Sequence, residues 1–156
     1  MSGATGKVSG KRGGKDVILS LTGMQLSDGA EPELLEMVTE GKYRKQGGAY
    51  YITFRENISG ESELLTTTTL KVAEGGMMTL MRYGAINNHF VFERGKKHLS
   101  HYETEVGSVT VGVTARNMEV RINDDGGDIH IGYEIEINGG DSIYNDIFMR
   151  VRAPAN

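Results

Sequence analysis

Between Gly107 and Val151 apolar and polar residues alternate along the chain. Val109, Val111, Val113 and Ala115 face Ser108, Thr110, Thr114 and Arg116. The alternation resumes after Asn117, with Met118, Val120 and Ile122 against Glu119, Arg121 and Asn123. It returns with Ile129, Ile131, Tyr133, Ile135 and Ile137 against His130, Glu134, Glu136 and Asn138. Side chains on a strand point to opposite faces with period two, so each run reads as a strand with one dry face. Short segments rich in Asn, Asp and Gly separate the runs: Arg116-Asn117, Asp124-Asp125-Gly126-Gly127 and Asn138-Gly139-Gly140-Asp141. These residues tolerate the positive φ of tight hairpins. The pattern predicts an antiparallel meander with a turn at each of the three breaks.

The rest of the chain repeats this pattern more weakly. Val17, Leu19 and Leu21 alternate from Asp16, and Ser27-Asp28-Gly29 forms a turn signal. Glu31 to Glu36 could open a helix, with Pro32 in its first turn. Met37, Thr39 and Tyr43 against Glu36, Glu40, Lys42 and Arg44 favour a strand instead. Further strand-like segments are Ala49 to Glu56, Leu65 to Ala73, Met77 to Tyr83, Asn87 to Arg94, Lys97 to Glu105 and Asp141 to Arg152. Asn57 to Glu63 reads as a loop, and its Asn57-Ile58-Ser59 sequon carries no meaning without secretion. The β-branched run Thr66 to Thr69 suits a strand and not a helix. In all, about eleven strands are expected, and many long meandering strands favour an up-and-down barrel, which removes exposed edges.

Residues 1–15 are almost free of apolar side chains and carry Lys7, Lys11, Arg12 and Lys15 without an acid. They are expected to form a disordered basic tail, with residues 16–153 as a single β-barrel domain. The 156 residues suffice for one core, and 22 Gly with only 2 Pro fit many tight turns. There is no Cys, which excludes disulfides, thiolate metal sites and cysteine catalysis. A net charge of -4 argues against nucleic acid as a partner. No apolar run reaches the roughly 20 residues of a membrane helix, and no signal-peptide core opens the chain. A cytoplasmic protein is expected.

Met81-Arg82-Tyr83-Gly84, Phe92-Glu93-Arg94-Gly95 and Tyr102-Glu103-Thr104-Glu105-Val106-Gly107, with the valine strand ending at Thr114 and Ile131-Gly132-Tyr133-Glu134, form a connected set of motifs. In these the chain resembles the YwiB-like family of small bacterial proteins of unknown function, over Asp16 to Arg152. The resemblance implies a calycin-like β-barrel of lipocalin type, all-β, antiparallel and up-and-down. It brings no established activity, so no catalytic residue is carried over. The chain has no Trp and so lacks the Gly-x-Trp signature of true lipocalins.

The residues show no assembled catalytic group. His98 and His101 stand three apart and would face opposite sides of a strand, and there is no His-Glu-x-x-His motif. Asn123-Asp124-Asp125-Gly126 fails as a calcium loop, because Arg121 and Gly132 would occupy its first and twelfth ligand positions. No nucleophile elbow surrounds a serine and no phosphate-binding loop is present. No metal and no cofactor are expected. The residues with some claim to a ligand are Arg82 and Arg55, arginines within apolar strands, and Tyr102 with Thr104 on one strand face. An arginine at a barrel mouth can grip a carboxylate or phosphate, and can equally pair with a neighbouring strand.

Two functional expectations follow. One is a barrel whose cup binds a small molecule. The alternative is an interaction or structural module with a filled barrel and a homodimer surface. Met77 to Tyr83 supports the second, since Met77, Thr79, Met81 and Tyr83 alternate with Met78, Leu80 and Arg82. Whichever set points inward, an apolar stripe is left on the outer wall, and a homodimer is expected to cover it.

Overall fold

The computed structural model describes residues 14–56, 65–84, 87–104 and 107–155, with the backbone alone at 102–104. Ten strands follow one another: β1 (Lys15–Ser27), β2 (Glu33–Gln46), β3 (Ala49–Glu56), β4 (Thr66–Ala73), β5 (Met78–Gly84), β6 (Asn88–Phe92), β7 (Lys97–Thr104), β8 (Gly107–Asn123), β9 (Gly126–Ile137) and β10 (Ser142–Arg152). They form one sheet in the order β6-β5-β4-β3-β2-β1-β10-β9-β8-β7, all pairs antiparallel. Each strand lies beside its chain neighbour, and β1 also pairs with β10. The result is an antiparallel up-and-down barrel, nearly closed at a seam between β6 and β7. The helix considered at Pro32 is absent among the described residues, because β2 is paired to β1 from Glu33 onward.

The turn expected at Arg116-Asn117 does not exist. Residues 107–123 are one strand, interrupted by a β-bulge between Ala115 and Asn117. Arg116 is the unpaired extra residue, since Ala115 faces Tyr133 and Asn117 faces Gly132. The bulge explains why the inward phase jumps from odd numbers (Val111, Val113, Ala115) to even ones (Met118, Val120, Ile122). It also serves closure. The Ala115 carbonyl accepts from Gly95 N–H at 2.9 Å, and the Met118 carbonyl accepts from the Arg94 guanidinium. Carbonyls on both sides of the bulge therefore hold the β6–β7 turn against β8. Ser100 adds a bond from its hydroxyl to the His89 carbonyl across the same seam. Glu93 binds His98 at 3.0 Å and Lys96 at 3.2 Å, and these partners hold its carboxyl below the usual range.

The basic-tail expectation falls mostly on residues 1–13, outside the described residues. Lys15, the last residue of that expected tail, is paired with Tyr43 at the start of β1. The loop expected from Asn57 to Glu63 also lies outside the described residues.

The core fills one end of the barrel. Val17, Leu19, Tyr43, Ile52, Leu70, Val72, Met78, Phe92, Val113, Ile129, Met149 and Val151 are all buried there. Gly41 makes room in this layer: a Cβ there would come within 2.7 Å of the Leu19 side chain and 2.8 Å of the Thr53 carbonyl oxygen. Tyr43 and Tyr50 stack at 5.2 Å and cap this end. Their hydroxyls donate to the Asn123 carbonyl at 2.7 Å and the Asp124 carboxylate at 2.6 Å. The β2–β3 hairpin beside them turns at Gly47 and Gly48, with φ of 59° and 81°. Two consecutive positive φ values define the tight primed turn that matches strand twist.

Candidate functional site

The other end of the barrel is open. A cavity of about 870 Å³ lies inside the wall, in the size range of small-molecule sites. Its position follows from the strands. A barrel widens with strand number, and ten strands enclose more than the eight of a lipocalin.

The cup has an apolar wall and a polar wall. Val109 and Val111 on β8, Ile135 and Ile137 on β9, and Ile143 and Ile147 on β10 form the apolar one. Leu34 and Leu35 on β2 continue it to the rim, where Leu34 is 80% exposed. Glu56 on β3, Arg82 on β5 and Asn88 on β6 form the polar wall, with Asn145 of β10 also lining the cavity.

Arg82 follows Met78 and Leu80 along the inward face of β5. Its Nε lies 3.5 Å from Glu56 Oε2, the two side chains being 26% and 14% exposed. Thr68, directly opposite Arg82 on β4 and fully buried, donates its hydroxyl to Glu56. Tyr133 sits beside this pair, and burial pushes its hydroxyl pKa up. Among the described residues, three buried side-chain polar atoms have no hydrogen-bond partner: Arg82 Nε, Asn88 Oδ1 and Asn145 Nδ2. Asn88 is itself buried and lies opposite Arg82 in register. Buried polar groups without a hydrogen bond are costly, and these three share one cavity.

Of the residues singled out from sequence, Arg82 lies in the cup. Arg55 is exposed on the outer face, since Ile52, Phe54 and Glu56 take the inward phase of β3. It therefore cannot serve a ligand in the cavity. Tyr102 and Thr104 lie on β7, paired with Val109 and Gly107, and their side chains fall outside the described residues. Glu56, Asn88, Asn145 and the isoleucine wall were not singled out. Their signal was present, because each polar residue stands in phase with apolar neighbours: Glu56 with Phe54, Asn88 with Phe90, Asn145 with Ile147.

The second depression, about 290 Å³ beside Tyr43, Tyr50 and Asp124, belongs to the capped end. On the outer wall His130 pairs with Asp146 at 2.8 Å and Glu119 at 3.6 Å, an exterior ion-pair cluster.

Fold and cup together define a small antiparallel β-barrel with one packed and one open end. The chain belongs to the family described as a domain of unknown function, DUF1934, whose pattern matches residues 19–149. It is 25% identical over 113 residues to the uncharacterized β-barrel protein YwiB of Bacillus subtilis strain 168, covering 72% of this chain and 76% of that one. The crystal structure of the Bacillus subtilis ywiB protein superimposes with a TM-score of 0.71 at 21% identity. That match covers 86% of this chain and 90% of the other. The likeness concerns the fold.

Proposed function

We propose that this protein binds a small molecule in the open end of its barrel. The observation that carries the reading is the coincidence of a cavity of about 870 Å³ with three buried polar atoms in its lining that lack a hydrogen bond. An apolar wall supplies affinity through burial, and a few placed polar groups fix orientation. The test uses Nile red, an uncharged dye that brightens in apolar surroundings. Saturable binding of one dye per chain is expected, weakened by Ile135→Trp, which fills the cup from β9. Absence of saturable binding would remove the reading.

A second reading, pairing of two copies through the outer wall, is favoured by one observation. Met78, Leu80 and Arg82 take the inward phase of β5, which leaves Met77 and Tyr83 40% and 60% exposed.

A further inference from the structure

The polar wall also restricts the charge of what it can hold, an inference that rests on the cup being a ligand site. Arg82 and Glu56 are one cation and one anion in contact, so their charges cancel within the polar wall, and Glu33, the other charged residue of the lining, is exposed to solvent. An anionic head group reaching Arg82 meets the Glu56 carboxylate on the same side, and a cationic one reaching Glu56 meets the guanidinium. Either must also be stripped of water against an isoleucine wall, which is costly for any unpaired charge.

The unmet atoms ask for something else. Arg82 Nε, in ion-pair contact with Glu56 but not hydrogen-bonded to it, and Asn145 Nδ2 are donors with an unmet hydrogen bond, and Asn88 Oδ1 is an acceptor with one. Arg82 and Asn88 are opposite residues of an antiparallel pair, the spacing at which one compact group reaches both side chains. A carboxamide presents a carbonyl oxygen and an N–H side by side. It also matches an asparagine amide in either orientation. We infer that the cup selects an uncharged ligand with an amide-type head on an apolar body, in preference to a fatty-acid-like anion or an alkyl-amine cation. The head sits between Arg82 and Asn88, and the body lies along Ile135, Ile143 and Ile147.

Displacement of Nile red by three ligands of one chain length, decanamide, decanoate and decylamine, tests this near neutral pH. Decanamide should displace the dye at about tenfold lower concentration than either charged ligand, the difference expected from leaving buried partners unmatched. Asn88→Leu should reduce that advantage while dye binding persists. Glu56→Gln removes the anion beside Arg82 and should shift preference toward decanoate, which a merely structural Glu56 would not do. Equal displacement by all three, or a preference for decanoate in the unsubstituted protein, would overturn the head-group inference while leaving the cup as a binding site. Failure of Nile red to bind at all would overturn the cup itself and the inference with it.

Discussion

Arg82 shows what a single residue contributes at the polar wall. Its guanidinium and the Glu56 carboxylate are mostly withdrawn from water, and Thr68 completes the carboxylate's shell. Arg82→Met should therefore lower stability by about 1–3 kcal/mol, since it leaves a partly buried carboxylate without its cation. Adding Glu56→Gln to Arg82→Met should recover part of that loss, and urea unfolding of the three proteins measures it. The tyrosines give a pH signature. Burial, then the neighbouring Tyr50 and Asp124, push the Tyr43 hydroxyl well above its ordinary value of 10.0, and burial does the same to Tyr133. Above pH 10 the unfolded chain releases protons that the folded barrel keeps, so stability is intact below that pH and falls as pH rises through it. Tyr43→Phe should flatten the alkaline fall measured by thermal unfolding. At neutral pH it should cost about 1 kcal/mol for the lost bond to the Asn123 carbonyl.

At the scale of elements, the strands and most turns were legible because period two is strict wherever one face is dry. Asp124 to Gly127 and Asn138 to Asp141 both turn the chain as their residues require, and Asn138 and Gly139 take φ of 51° and 73°. The break at Arg116-Asn117 was legible as a phase change but ambiguous in meaning. A turn and a bulge both shift the alternation, and only pairing to β9 separates them. The cup was harder to read. In β3, β4, β5 and β6 the inward phase changes from apolar to polar toward one end: Phe54 to Glu56, Leu70 to Thr68 and Thr66, Leu80 to Arg82, Phe90 to Asn88. Each exchange alone looks like an ordinary strand terminus. Their meeting at one cavity depends on register across four strands, which no single stretch encodes. The same register makes β5 a direct test of facing. Leu80→Glu places a charge on the inner face and should cost about 2–4 kcal/mol. Met81→Glu, one residue on and outward, should cost about 0.5 kcal/mol or less. If two copies pair through this wall, Met81→Glu should also lower the mass seen in equilibrium sedimentation with the fold retained. A mass of 17.0 kDa at every concentration for the unsubstituted chain would reject the pairing.

The whole molecule is a barrel of two unlike halves. Tyr43, Tyr50 and the core above them close one end, and the contacts at the bulge hold the β6–β7 turn against β8. The isoleucines report on both halves. Ile135, Ile137, Ile143 and Ile147 line the cup, whereas Ile52 and Ile129 are buried in the packed end. Titration of Nile red into protein labelled at the isoleucine δ1 methyl groups, followed by methyl NMR, reads each of these positions at once. The expected result is saturable shifts at Ile135, Ile137, Ile143 and Ile147, with Ile52 and Ile129 unmoved. Saturation that instead shifts outward-facing Ile18, and leaves the four cup methyls in place, would contradict binding inside the barrel.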